Sequence, residues 1–261
     1  MKVVEIPRLI APIVTPFTDD GSAVSEVRLA RLMRLMRESG FEGVAVATPS
    51  GEFGSLSLAE RKKLLEWVMR DCGKLAVYVN VTAQTTAVAI DLCQDAADCG
   101  ATGAILCPPP FGQLGLDEAR NFVNVVRRHG NLPVGFIDPS GKLNEAANAV
   151  ETSGAKSAEP LAAHGLDGLA VTPHGGSSEC WTPSGMVHPV AMFGMDHAQI
   201  LLQKWSAYKP VVEGIVRHFG LARIGKYATE KLGLETGPLR GPFMPLNPTG
   251  REAVDRLFQV V

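Results

Sequence analysis

Short apolar runs alternate along this chain with longer stretches whose apolar residues recur every three to four positions. An apolar run without polar alternation reads as a strand covered on both faces. A 3.6-residue recurrence reads as an amphipathic helix. Residues 9–15, 43–47, 75–81, 103–107 and 133–137 are such runs and predict five strands. Residues 25–39, 58–71, 85–99 and 116–128 carry the helical period; in the first of these Val27, Leu29, Leu32, Leu35 and Met36 form the apolar stripe. Gly40, Gly73 and Gly100 stand where three of these helices should stop. Five strands alternating with helices through short links predict a parallel α/β sheet with helices outside, as a closed barrel or an open doubly wound sheet. No GxGxxG follows the first strand, which argues against the dinucleotide-binding version.

Beyond residue 138 the pattern thins. Residues 148–152 and 168–172 predict two further strands and 157–163 a helical patch. Seven strands result, where a (β/α)8 TIM barrel has eight. Residues 173–195 are loop-rich, and the remainder reads as helical at 197–219, 221–232 and a short helix after 248–250. The expected organisation is a single domain, 1–261, with a barrel over about 1–195 and a C-terminal helical region over about 196–261.

Composition narrows the function classes. With 261 residues, 46% hydrophobic and a net charge of −2, the chain can bury one large core and carries no basic footprint for nucleic acid. No apolar run approaches the roughly 18 residues of a membrane span. Residues 1–17 are broken by Pro7 and Pro12 and lack a signal-peptide layout. The five cysteines have no metal spacing and are expected to be reduced and mostly buried, in a cytoplasmic protein.

The candidate chemistry starts at Thr48-Pro49-Ser50-Gly51-Glu52, directly after the second strand. Breakers and small hydroxyls make a turn there, expected to expose its hydroxyls and backbone N–H groups to a carboxylate or carbonyl oxygen. Ser57 and Glu60 then form a capping box that opens the next helix. An ordinary βα loop is the bland alternative. A third constellation, His174, Glu179, Cys180 and His188, has ligand types that suit zinc but irregular spacing, so no metal site is assigned to it.

The order of motifs resembles the dihydrodipicolinate synthase and N-acetylneuraminate lyase family of class I aldolases. The matching pieces are Val14-Thr15-Pro16-Phe17 with Asp20-Gly21, Ser50-Gly51-Glu52, Leu56-Ser57 with Glu60-Arg61, Gly100-Ala101-Thr102-Gly103, Leu132-Pro133-Val134, Gly165-Leu166-Asp167-Gly168, Leu232-Gly233-Leu234 and Leu239-Arg240-Gly241-Pro242. The resemblance implies a (β/α)8 barrel with C-terminal helices, either complete or lacking one βα unit. It also implies a homo-oligomer, tetramer or dimer; no cofactor is expected, and the charge and apolar runs leave no nucleic-acid partner and no membrane among the expected partners. The activity implied by the resemblance is that of a lyase acting on pyruvate or a related small-molecule 2-oxo acid through a lysine Schiff base.

Carried over residue by residue, the resemblance makes Lys156 and Ser50 catalytic candidates; Asp138, which follows strand five, is the third, as the best substitute acid/base. The resemblance makes Ser50, Gly51, Glu52, Lys142 and Ala170 the substrate-binding candidates. Two alignments stand for the lysine. Gly154-Ala155-Lys156 is the family's strand-six motif, or strand six with its helix is deleted; the short span from Lys156 to Gly165 and the seven strands favour deletion. Pro49 and Ser50 occupy the places of the family's two threonines. Phe136 or Ile137 and Phe111 occupy the places of its two tyrosines, and Gly141, with Lys142 beside it, that of its arginine. A lost general acid/base costs about 10²–10⁴-fold, so a catalytically impaired barrel that binds a small oxo acid or serves in assembly is the alternative. Lys226 and Arg240 are expected to make structural pairs or to lie on a subunit surface.

Overall fold

The structure is a computed structural model and describes residues 10–38, 41–109, 114–136, 211 and 214–260. It divides into two compact units, Pro7–Val77 with Glu179–Val261, and Met1–Ile6 with Tyr78–Ser178.

In the first unit, β1 (Ile10–Pro12) pairs in parallel with β2 (Gly43–Val46), Ile10 opposite Gly43 and Pro12 opposite Ala45. Every residue of both strands is buried, as their unbroken apolar runs predict. β1 is shorter than the run that announced it. Pro12 has no N–H to continue the ladder, although Ile13 still donates to Ala45 O at 2.9 Å. Helix α1 (Glu26–Glu38) buries Leu29, Leu32, Met33 and Met36. Helix α2 (Leu58–Asp71) buries Leu64, Leu65 and Val68 and packs on α1, where Arg70 pairs with Glu26. The Ser57 hydroxyl accepts from Glu60 N and the Glu60 carboxylate accepts from Ser57 N, the capping box expected from the sequence. Just past α2 the chain reverses through Gly73 at φ +61°, a left-handed conformation that costs glycine nothing.

Two later helices belong to the same unit, α5 (Leu221–Lys231) and α6 (Pro248–Val260). Ile224, Ala228, Leu246 and Val254 form a core there, flanked by Phe219 and Tyr227, and the Tyr227 hydroxyl donates to Asp255. The short helix expected after residue 248 runs for 13 residues.

The second unit carries the rest of β3 (Ala76–Asn80), with β4 (Gly103–Leu106) and β5 (Val134–Phe136). All pair in parallel, Tyr78 opposite Gly103 and Ala104 opposite Val134. Helices α3 (Thr86–Asp98) and α4 (Leu116–His129) pack on one another, and Gln94 Nε2 donates to His129 O at 2.8 Å. At the C-terminal ends of β3 and β4, Thr82 donates to Asn80 and accepts from Cys107 N at 2.8 Å. Cys72, Cys93 and Cys107 are buried thiols. Among the described residues no helix is long and apolar enough to cross a membrane. The strands expected at 148–152 and 168–172 and the helical patch at 157–163 lie outside the described residues.

Candidate functional site

In parallel α/β architectures sites form at the C-terminal ends of the strands. In the first unit β1 runs on into Thr15 and Phe17, and β2 into the turn from Thr48 to Glu52. That turn starts as one 3₁₀ turn, Pro49–Gly51, and continues as another, Phe53–Ser55. Pro49 sits in the first turn, where its fixed φ is an advantage and its missing N–H costs nothing.

Two non-glycine residues bracket the turn in the left-handed region, Ala47 at φ +53° and Glu52 at φ +56°. Each such residue stores backbone strain of order 1–3 kcal/mol, which surrounding contacts must impose. The contacts are present. The Thr15 hydroxyl donates to Gly51 O at 2.6 Å, clamping the turn to the end of β1. The Thr48 and Ser50 hydroxyls lie 2.7 Å apart. Both side chains are buried, Ser50 completely, so the hydroxyls expected to be exposed are enclosed. Mutual hydrogen bonding makes their burial affordable. Thr48 also answers the loss of a hydroxyl at Pro49, because the residue on the other side of the proline brings a second hydroxyl to Ser50.

Glu52 ends the turn, and its carboxylate points into the protein. Oε2 accepts from Arg240 N at 2.9 Å, and Oε1 lies 3.1 Å from Lys226 Nζ on α5. The ammonium also donates to Pro238 O at 2.5 Å. The contact to Glu52 is an ion pair between two enclosed side chains. Lys226 Nζ and the Arg240 guanidinium each lie 4.2 Å from the centroid of the Phe17 ring, an arrangement that favours both cations. Burial pushes the Lys226 ammonium down to about 8 against the opposing pull of Glu52.

Arg240 places all five of its N–H donors. Nε donates to Gly21 O, Nη1 to Ser55 O and Glu60 Oε2, and Nη2 to Ser22 O and Glu60 Oε1, over 2.6–3.0 Å. Held by that fork, the Glu60 carboxyl falls to about 2. Phe17 N donates to Thr236 O at 2.8 Å, and a Cβ on Gly237, at φ +71°, would lie 2.4 Å from Phe17 O. The segment around 236–240 therefore lies against the ends of β1 and β2.

Of the residues singled out from sequence, Ser50, Gly51 and Glu52 come together with Thr15 and Thr48. Lys142, Lys156, Asp138 and Ala170 lie outside the described residues, as do Phe111, Ile137 and the His174, Glu179, Cys180 and His188 set. Phe136 is buried at the end of β5, and Tyr78 is buried within β3. Lys226 and Arg240 do make structural pairs. Sequence reasoning missed the partnership of Thr48 with Ser50; the Thr-Pro-Ser spelling of the turn was its only signal.

Comparison with known proteins bears on this arrangement. A 4-hydroxy-tetrahydrodipicolinate synthase from Methanothrix thermoacetophila is 38% identical over 101 residues, 39% of this chain and 34% of that protein. The chain thus matches about a third of that relative's length. A second such synthase, from Methanosarcina mazei, is 26% identical over 269 residues, covering 90% of this chain and 91% of that protein. The solved N-acetylneuraminate lyase of Proteus mirabilis superposes with a TM-score of 0.67 at 18% identity, over 98% of this chain and 99% of that one. That likeness shows the fold, an α/β barrel of the (β/α)8 type with C-terminal helices. Residues 5–136 match the dihydrodipicolinate synthetase family, which spans β1 through β5 and the turn with its hydroxyl pair, and the chain belongs to that family as a divergent member.

Proposed function

We propose that the chain is a class I aldolase-type lyase acting on pyruvate or a related 2-oxo acid, in the cytoplasm, as a homo-oligomer. The Lys156 amine attacks the keto carbon and water leaves, giving the Schiff base. Asp138 moves the proton, Lys142 faces the substrate carboxylate, and Ala170 lines the site. Ser50 and Gly51 hold the acid at the β2 turn, and Glu52 anchors that turn.

The hydroxyl pair carries this reading. Thr48 and Ser50 bring two hydroxyl protons, and the bond between them uses one. The second belongs to a buried group, and leaving such a donor unmet costs about 1–3 kcal/mol. A carboxylate or carbonyl oxygen seated on the turn would accept it. The strained residues on either side support the same reading, since strain of this kind concentrates at functional sites.

The second reading, a barrel that binds an oxo acid without turning it over, draws on Phe136, one of the two candidate positions for the family's strand-five tyrosine. Phe136 brings no hydroxyl to the end of β5, where the resemblance expects a general acid/base.

The test is intact mass after incubation with pyruvate and borohydride. A stable adduct that maps to Lys156 and weakens in Ser50→Ala supports the lyase. Absence of an adduct with pyruvate and with a panel of 2-oxo acids overturns the Schiff-base chemistry. Retained binding of those acids by calorimetry would then favour the second reading.

A further inference from the structure

We propose that Lys226 is a positioning residue of the β2 turn: through Glu52 it holds Thr48 and Ser50 in place, so that the C-terminal helical region is a working part of the site. The inference deepens the proposed function and rests on its placement of the oxo acid at that turn.

Lys226 lies on α5, 174 positions beyond Glu52, yet its ammonium is the cation nearest to Glu52 Oε1 at 3.1 Å. Both side chains are almost wholly enclosed. A buried pair of this kind is retained only where its geometry is held on all sides, and here it is. Pro238 O accepts from Nζ, the Phe17 face lies 4.2 Å away, and Arg240 N takes the other carboxylate oxygen. Glu52 is also one of the two left-handed residues that shape the turn. Its side chain is therefore the handle by which distant residues keep its backbone in a conformation a free chain seldom adopts. Ser50 is two residues away and Thr48 four, with Phe53 N bonded back to Thr48 O at 3.4 Å and Glu52 N to Pro49 O at 3.3 Å. The short bonds of the turn, Thr15 Oγ1 to Gly51 O at 2.6 Å and Ser55 N to Glu52 O at 2.8 Å, leave the Glu52 side chain free, and the tether is what fixes it.

The charged groups facing Lys226 are Glu52 on the turn, Glu230 on its own helix and Arg240 on the segment after α5. The two carboxylates favour the ammonium, whereas Arg240 and burial disfavour it. The tether consequently weakens as the pH rises through about 8 and the ammonium loses its proton.

The experiment compares wild type, Lys226→Arg, Lys226→Met and the double variant Lys226→Met with Glu52→Gln, which removes both charges and so protects against simple misfolding. Hydrogen exchange reads the amides of Glu52, Phe53, Ser55 and Leu56 against those of α2 and α6. Borohydride trapping with pyruvate, from pH 6.5 to 9.5, reads the site. In Lys226→Met and the double variant the turn amides exchange roughly tenfold faster or more, equivalent to ~1.4 kcal/mol of local opening, with α2 and α6 unchanged. In Lys226→Met half-maximal trapping needs correspondingly more pyruvate, while the rate at saturation holds. Lys226→Arg restores both and removes the wild-type loss of affinity above pH 8. Turn amides that move no more than those of α2 and α6 would overturn the proposal, as would a Lys226→Arg pH profile identical to wild type. If wild type traps no 2-oxo acid, the Schiff-base reading fails, and the exchange data alone decide the positioning role.

Discussion

Glu60 offers a perturbation whose size follows from the structure. Its carboxylate serves twice, as the capping-box acceptor for Ser57 N and as the bidentate partner of Arg240. Glu60→Gln keeps an oxygen for the cap but removes the charge and one arm of the fork. Arg240 lowers the Glu60 carboxyl from 4.5 to about 2. A group with a depressed folded-state pKa contributes stability above its unfolded value and loses it as the pH falls toward the folded one. At ~1.4 kcal/mol per tenfold in proton concentration, the ceiling is about 3 kcal/mol. The Glu60 side chain is 26% exposed, so solvent screens part of this and about 2 kcal/mol remains. Urea unfolding of wild type and Glu60→Gln at pH 7, 4.5, 3 and 2 reads the difference directly. It should be about 2 kcal/mol at pH 7, shrink between 4.5 and 2, and vanish below. A difference that stays constant down to pH 2, or one under about 0.5 kcal/mol at pH 7, would refute the reasoning.

Two further substitutions test neighbouring parts of the same frame. Ser57→Ala removes the hydroxyl that accepts from Glu60 N; it should cost about 1 kcal/mol, or a melting-temperature loss of about 2–4 °C, and no loss by calorimetry would mean the cap is redundant. Gly237→Ala places a methyl 2.4 Å from Phe17 O at φ +71°; it should cost about 3 kcal/mol or more in urea unfolding, and a cost below about 1 kcal/mol would mean that the segment yields easily.

Sequence pattern resolved those elements whose determinants are local. α2 spans 58–71 as its period and cap predict, because Ser57, Glu60 and Gly73 all act within one helix. The strands were legible because burial on both faces leaves an unbroken apolar run, and only their ends differ. The inside of the β2 turn was not legible. Ser50, Gly51 and Glu52 were picked out, but the burial of the hydroxyls depends on Thr15, 36 positions before Gly51. The inward aim of Glu52 depends on Arg240, 188 positions after it. Neither distance leaves a periodic trace. Nor does any local propensity announce a glutamate at φ +56°, since that conformation follows from the tether and not from the residue.

The motifs that identify the family and the residues that would do its chemistry separate in this chain, and the structure supplies a reason. Phe17, Gly21, Glu52, Ser57, Glu60 and Arg240 all belong to the matching pieces, and all join one network around the ends of β1 and β2. Arg240 spends every donor within it, and removing a member would leave a buried charge or carbonyl unmet. Such a network ties the C-terminal segment to the strands whether or not a reaction follows. Among the described residues the expected departures from the family pattern fall at Pro49 and at Phe136, one of the two candidate positions for a tyrosine, and neither brings a polar side chain to that network. Pro49 fits the first position of its 3₁₀ turn, and Phe136 buries an aromatic ring that has no hydroxyl to satisfy. Neither change opposes folding, so recognisability and stability can persist while the chemistry drifts. Under the proposed function, activity turns on what reaches the Thr48–Ser50 pair, since the frame behind the pair would hold it in either case.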